Sequence, residues 1–208
     1  MRRVLRIDGA IIFAAFIMGA SVYHIMPAVM PIHRGLNGEP DAYAGRFVGV
    51  FGLPISICIV VAIMIFLPWF DPDDVILPTH YDLVLVVVPS VIFAIYAWVL
   101  LASLGIKVLA IVPVAESILF YSVGALLQKV ERNRWVGIKF SWVVSSESVW
   151  KKTPRVTGLL FKLFAILALA GLFYPHYELY FGTVAIIVTP LFGIMYLYVI
   201  YKKEQRGH

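Results

Sequence analysis

The sequence predicts an all-α integral membrane protein in which six transmembrane helices form a single bundle. Of its 208 residues, 62% are hydrophobic and only 14% are charged, whereas soluble domains contain about 45–50% apolar and about 25% charged residues. Six apolar segments approach or exceed the roughly 20 residues with which a helix crosses a hydrocarbon core of about 30 Å. Because lipid offers the backbone no hydrogen-bond partners, we expect these segments to be helical. The predicted spans are residues 8–29, 47–69, 83–104, 107–127, 156–174 and 179–201.

The distribution of basic residues predicts that both termini lie in the cytoplasm. Thirteen Lys and Arg residues flank the spans on the side of the termini, and three flank them on the other side. Since cytoplasmic loops are enriched in Lys and Arg, the first side is expected to be cytoplasmic in a multi-pass protein of the cell membrane. The net charge of +5 then reflects topology and attraction to the lipid bilayer, and direct nucleic acid binding is not predicted. The thirteen are Arg2, Arg3, Arg6, Lys129, Arg132, Arg134, Lys139, Lys151, Lys152, Arg155, Lys202, Lys203 and Arg206, and the three are Arg34, Arg46 and Lys107.

The connections between the spans indicate one polytopic domain covering residues 1–208. The segment around Gly105 is so short that spans 3 and 4 are expected to pack as an antiparallel pair. The segment "LNGEPD" between spans 1 and 2 is typical of a turn, because Gly and Asn tolerate positive φ and the residue before Pro avoids the helix. The single cysteine, Cys58, excludes an intramolecular disulfide and a cysteine-based zinc site.

The longest polar segment, residues 128–155, is predicted to be a cytoplasmic loop at the membrane interface. Three Trp residues stand there among Lys and Arg, a composition typical of segments in the headgroup layer. They are Trp135, Trp142 and Trp150. Ser145 or Ser146 can cap a short helix, "SESVWKK", with Glu147 near its positive end. Pro154 is then expected to begin the fifth span.

Two segments carry a resemblance to a known family. The first, "RNRWVGIKFSWVVSSESVWKKTPRVTG", resembles the signature of the SdpI-type immunity protein family. The second, "MPIHRGLNGEPDAYAGR", is similar to the N-terminal domain of unknown function that is commonly attached to that family. The resembling residues are Asn133, Gly137, Ile138, Lys139, Trp142, Ser145, Ser146, Glu147, Trp150 and Gly158 in the first segment, and Pro31, His33, Gly38 and Asp41 in the second. The resemblance extends from about residue 20 to 172 and includes Asp71 and Pro72, but Pro154 stands where the family often has His.

The resemblance implies a function in immunity and signalling. The best-known relatives protect a cell from a secreted antimicrobial peptide and hold a transcriptional repressor at the membrane. The expected partners are therefore a peptide toxin or other hydrophobic peptide, and a cytoplasmic transcriptional regulator. We predict residues 133–152 to be the cytoplasmic output loop that the regulator reads. Its named residues are Asn133, Gly137, Lys139, Trp142, Ser145, Ser146, Glu147 and Trp150.

Six residues on the predicted external side form a candidate ligand-sensing or metal site. They are His24, His33, Glu39, Asp41, His176 and Glu178. Imidazoles and carboxylates can bind a divalent metal such as zinc or calcium, although their spacing matches no known metal motif. A metal with a vacant position would make the protein a metal-dependent, peptidase-like membrane hydrolase, which is the alternative function. The simpler interpretation is that His33 and Asp41 hydrogen-bond within the turn.

Glu116 and Lys162 are charged residues inside predicted spans. Glu116 lies about nine residues into span 4, or roughly 14 Å deep at 1.5 Å per residue. A carboxylate at that depth is costly, so it is expected to be protonated, to be paired or to face a watery cavity. Lys162 can pair with it or extend toward the cytoplasmic interface. A cavity role and a structural hydrogen bond between helices are both open for Glu116, whereas a transporter is disfavoured because paired broken helices are absent.

Overall fold

Seven helices and a β-hairpin make up the residues that the computed structural model describes, which are 2–35, 39–66, 81–106, 108–129, 140–174 and 177–206. The helices are α1 (Arg2–Val22), α2 (Arg46–Phe66), α3 (Tyr81–Ser103), α4 (Ile111–Leu127), α5 (Ser141–Ser145), α6 (Glu147–Ala168) and α7 (Glu178–Arg206). Short 3₁₀ turns follow α1 at Tyr23–Ile25 and α6 at Leu169–Leu172. The hairpin consists of β1 (Val29–Arg34) and β2 (Pro40–Gly45).

The helices confirm the predicted all-α membrane fold class. Within the described ranges, five helices are long and apolar enough to cross a membrane: α1, α2, α3, α6 and α7. The sixth predicted span corresponds to α4, an apolar helix of 17 residues, which is about 25 Å long at 1.5 Å per residue. Large apolar side chains such as Phe13, Ile166 and Met195 are exposed on the outside of the bundle. Such exposure suits a surface that faces lipid.

At two helix boundaries, a proline is involved in the difference between the prediction and the structure. The first span was expected to reach residue 29, but the chain leaves the helix at Met26, whose backbone is extended. Pro27 follows, and the residue before a proline disfavours helical geometry. The fifth span was expected to start at Pro154, yet α6 begins at Glu147 and continues through that proline. The predicted short helix "SESVWKK" is therefore the first part of α6, and Pro154 removes only one internal hydrogen bond.

The segment between α1 and α2 forms an antiparallel hairpin rather than only a turn. Its register runs from Val29↔Gly45 to Arg34↔Pro40, with irregularities on both sides of His33. The predicted turn itself, residues 36–38, lies outside the described residues. Met30 of β1 is fully buried against α2. A Cβ on Gly49 would come within 2.6 Å of the Met30 Cβ, so this glycine lets the hairpin pack closely on α2.

The bundle alternates in direction, which gives it two distinct ends. One end holds β1, β2 and the starts of α2, α4 and α7, and we call it the hairpin end. The other holds α5, the start of α6 and the end of α7, and we call it the opposite end. The Tyr81 hydroxyl donates to the Met64 carbonyl at 2.7 Å, which joins the start of α3 to the end of α2. The predicted adjacency of spans 3 and 4 is confirmed, because α3 packs on α4.

Glycines allow the closest helix crossing, between α4 and α6. A Cβ on Gly124 would lie 2.6 Å from the Gly158 carbonyl oxygen, and a Cβ on Gly158 would lie 2.5 Å from that of Gly124. Neither backbone atom can move aside cheaply, so both positions require the absence of a side chain. Small residues at such crossings are common where helices associate in membranes. Gly158 is one of the residues in the resembling segment, and this contact is its structural role.

Candidate ligand cavity under the hairpin

A cavity of about 750 Å³ lies at the hairpin end, between β1 and four helices. Its volume falls within the range of about 300–1,000 Å³ that is usual for ligand pockets. Five consecutive residues, Pro31 to Gly35, form one side of it. Apolar side chains of α2, α3 and α4 form most of the remaining wall. They are Val48, Leu53, Ile95, Trp98, Val99 and Val112.

A few polar groups interrupt this apolar wall. Ser56 of α2, Glu116 of α4 and Thr183 of α7 line the cavity together with His33 and Arg34 of β1. The Arg34 guanidinium lies 5.1 Å from the centroid of the Trp98 ring, a distance at which a cation is attracted to the aromatic face. The cavity therefore contains a cation on the hairpin side and a carboxylate on the helix side.

Glu116 lies nearer the start of its helix than the sequence predicted. Because α4 begins at Ile111, Glu116 lies five residues into the helix, about 7.5 Å from its start at 1.5 Å per residue. The expected depth of about 14 Å assumed a helix from residue 107. The carboxylate packs on Gly182 of α7, where any Cβ would collide with it. Glu116 is among the residues that line the cavity.

Lys162 has partners near the C-terminal end of α4, far from Glu116. Its ammonium group donates to the Gln128 Oε1 atom at 2.5 Å and lies 5.5 Å from the centroid of the Tyr121 ring. Gln128 is separated from Glu116 by twelve residues, or about 18 Å along the helix. Of the two alternatives for Lys162, the structure therefore supports extension away from Glu116.

The predicted external histidines and carboxylates are only partly brought together. His33 Nδ1 lies 2.5 Å from Asp41 Oδ1 across the hairpin, with both side chains largely exposed. This is the hydrogen bond of the simpler interpretation. His24 is exposed in the first 3₁₀ turn, edge-on to the Tyr23 ring, and Glu39 is exposed beside the turn.

The remaining members of that set are not described. His176, and the side chain of Glu178, lie outside the described residues. In the part of the chain that the structure describes, no three His, Cys, Asp or Glu residues are grouped so that they can hold a metal ion.

The opposite end closes around Glu204 of α7. Ser146 caps α6 by accepting a hydrogen bond from the Val149 amide at 3.2 Å, as predicted, and its hydroxyl donates to Glu204 Oε2 at 3.0 Å. The Lys152 ammonium lies 3.6 Å from Glu204 Oε1. Glu147, in contrast, is exposed and pairs with Lys151 at 2.6 Å. The Ser146 hydroxyl is thus used inside the protein, and Glu147 is presented to the surroundings.

Two of the predicted interfacial tryptophans pack against protein. Trp150 is only 9% exposed and belongs to a buried cluster with Val143, Val149 and Leu197. Trp142 stacks on Phe140 and meets the Tyr198 ring edge-on. Anchoring in lipid headgroups is therefore wrong for Trp150, because its indole is enclosed by α6 and α7. Trp135 and the loop residues Asn133, Gly137 and Lys139 lie outside the described residues, as does the side chain of Ser145.

Several residues that lie at these two ends could not be assigned to a site from the sequence. Arg34, Gly52 and Thr183 line the cavity, and Glu204 joins Ser146 to Lys152. Of Arg34, Gly52 and Thr183, only Arg34 had a local signal in the sequence, which is its position next to His33. Glu204 follows Ser146 by 58 residues, so no local pattern joins the two.

Comparison with known protein families found two matches. Residues 129–202 match the SdpI/YfhL protein family, and residues 10–58 match the domain of unknown function DUF1648. The chain is an SdpI-like membrane protein. The resemblance expected from the two segments is thereby confirmed, although the matched ranges differ from a continuous stretch of about 20–172. Neither the curated proteins nor the solved structures gave a match.

The cavity combines residues from both matched ranges of this SdpI-like protein. Pro31–Gly35 and the cavity residues of α2 lie in the DUF1648 range, and Thr183 lies in the SdpI/YfhL range. Glu116 and the cavity residues of α3 lie between the two ranges. The cluster around Trp150 and Glu204, by contrast, lies almost entirely within or next to the SdpI/YfhL range.

Proposed function

We propose that this SdpI-like protein binds a hydrophobic peptide in the cavity under the hairpin and so confers immunity to it. The observation that carries the proposal is the cavity of about 750 Å³ with an apolar wall and a few charged groups. Ligand pockets usually combine these features, since the apolar wall supplies most of the binding energy and the polar groups set orientation.

The orientation that we propose places the hairpin end outside the cell. The thirteen basic residues on the side of the termini support it, because cytoplasmic segments are enriched in Lys and Arg. A peptide secreted by the same or neighbouring cells would then reach the cavity without crossing the membrane.

We further propose that the opposite end relays binding to a cytoplasmic regulator. Helix α7 supports this, because Gly182 packs on Glu116 at one of its ends and Glu204 bonds to Ser146 at the other. A shift of α7 would alter both contacts, and coupling between distant sites requires such an element with two arrangements. Glu147 is the described residue of the predicted output loop that is most open to a partner.

The test is a cavity-filling substitution with a matched control. A Cβ on Gly52 would meet only the Val48 side chain, at an ordinary 3.8 Å, so Gly52→Phe fills the cavity without a backbone collision. A Cβ on Gly9 of α1 meets nothing within 4 Å, which makes Gly9→Phe the control. Each protein is placed in phosphatidylcholine nanodiscs and offered a library of six-residue peptides of Leu, Val, Phe, Ala and Lys. Retained peptides are identified by mass spectrometry.

We expect the unmodified protein and Gly9→Phe to retain the same peptides and Gly52→Phe to retain none. Retention of the same peptides by Gly52→Phe, or no retention by the unmodified protein, would overturn the proposed function. Each variant is first shown to elute as one species in gel filtration, so that a loss of binding is assigned to the cavity and not to unfolding.

A further inference from the structure

We infer that the ligand enters the cavity as an extended strand on the free edge of β1 and places a primary ammonium group on Glu116. This inference rests on the proposed function and names the chemistry that the cavity recognises. Three features carry it: the edge of β1, the carboxylate of Glu116 and the guanidinium of Arg34.

The edge of β1 indicates a peptide rather than a lipid chain. In the described residues the sheet has two strands, so β1 is paired with β2 on one edge only. In a regular strand alternate residues face one side, yet Pro31 to Gly35 line the cavity consecutively. Register irregularities lie on both sides of His33 in this segment, so consecutive residues of β1 can border the cavity. An unpaired edge of this kind accepts an extended peptide by backbone hydrogen bonds, which lipid chains cannot supply.

Glu116 supplies the site for a cation. Its carboxylate offers about four lone-pair positions and so can accept from a ligand in addition to any protein contact. A hydrogen bond between an ammonium group and a carboxylate is about twice as strong as one between neutral groups. Apolar residues form most of the wall around it, and a low local dielectric strengthens such an interaction. A primary amine, from a peptide amino terminus or one Lys side chain, fits this position.

Arg34 limits where the positive charge of the ligand can lie. Its guanidinium is held over Trp98 on the hairpin side of the cavity. A second ligand cation there would face a like charge, which is unfavourable in an interface, whereas a peptide carbonyl would be favourable. The expected ligand is therefore apolar along its length and carries its amine only at the end that reaches Glu116.

The experiment uses the retained peptides as synthetic pairs, one with a free amino terminus and one N-acetylated, in phosphatidylcholine nanodiscs. For peptides without Lys, we expect acetylation to weaken binding to the unmodified protein at least about tenfold, or about 1.4 kcal/mol. Glu116→Gln should bind the free-amine peptide as weakly as the unmodified protein binds the acetylated one, and should not discriminate between the pair. Asp82→Asn, which removes an exposed carboxylate at the start of α3, should behave like the unmodified protein.

Each alternative outcome has a distinct meaning. If acetylated and free peptides bind equally while Gly52→Phe binds neither, the ammonium inference is wrong and the proposed function stands. If peptides N-methylated at alternate backbone positions bind as well as their parents, the pairing with β1 is wrong. If phosphatidylethanolamine in the nanodisc displaces the peptide from the unmodified protein but not from Glu116→Gln, the amine site belongs to a lipid headgroup. Binding that survives in Gly52→Phe would overturn the proposed function itself.

Discussion

One glutamate from each end of the bundle, Glu116 and Glu204, shows how the two ends differ. At the hairpin end Glu116 borders a cavity of about 750 Å³. At the opposite end Glu204 is held by the Ser146 hydroxyl at 3.0 Å and faces the Lys152 ammonium at 3.6 Å, beside the buried cluster of Trp150. Glu116 thus borders a space large enough for a ligand, whereas Glu204 is engaged by side chains of the protein itself. Substitutions at the hairpin end should therefore change binding, and those at the opposite end should first change stability.

The largest expected effect is on stability, from Trp150→Ala. This change empties the centre of a cluster in which Val143, Val149 and Leu197 are fully buried. Removal of a buried Trp costs about 3–5 kcal/mol of unfolding free energy, through lost contacts and the cavity that is left. Urea unfolding in detergent micelles measures it. Gly52→Phe, made at the hairpin end, should lower the same free energy by less than about 1 kcal/mol, and equal losses from the two changes would break the contrast between the ends.

A smaller effect is expected from Ser146→Ala. The serine hydroxyl accepts from the Val149 amide and donates to Glu204, so the change removes the cap of α6 and its tie to α7. Loss of such a cap typically costs about 1 kcal/mol, within a range of about 0.5–2 kcal/mol. The matched control is Ser141→Ala, an exposed serine in α5, which should change the unfolding free energy by less than about 0.5 kcal/mol. Equal values for the two serines would show that the cap contributes nothing.

The helices and the cap could be predicted because their signals are local. Apolar runs predicted the five described helices that are long enough to cross a membrane and the shorter α4. The serine before Glu147 predicted the start of the short helix that is the beginning of α6. The prediction that Pro154 begins the fifth span is wrong. A proline inside a helix removes one hydrogen bond, and packing can hold the remaining helix together. The burial of Trp150 was also missed, since a Trp among basic residues looks the same in sequence whether lipid or α7 covers it.

The cavity could not be predicted because it is assembled from segments that are far apart in the chain. Residues from β1, α2, α3, α4 and α7 border it, and no periodicity links them. The hairpin depends on Met30 fitting against Gly49, a contact between a strand and a helix that hydropathy does not encode. The sequence did single out Glu116, because a charge within an apolar run is conspicuous by itself.

The smallest expected effect on stability comes from two exposed carboxylates, one at each end, and it gives the sharpest test of the contrast. Glu147 pairs with Lys151 four residues later, with side chains 75% and 71% exposed, and such a pair contributes about 0.2–0.5 kcal/mol. Asp41 pairs with His33 across the hairpin and is also exposed, so its contribution is similarly small. Neither Glu147→Gln nor Asp41→Asn should therefore unfold the protein. Any activity that is lost can then be assigned to the surface that carries the changed residue.

We expect Asp41→Asn to weaken peptide binding, because it releases the side chain of His33, a residue that lines the cavity. Glu147→Gln should bind peptide normally and abolish the transcriptional response of the native cell, measured by RNA sequencing after addition of a retained peptide. The loss of peptide binding and the loss of the transcriptional response should occur in different variants. The reason is that the peptide binds at the hairpin end before the regulator responds at the opposite end. If both variants lost binding and response together while still folded, the output loop would be a scaffold or part of a single site, and the two ends would not have separate roles.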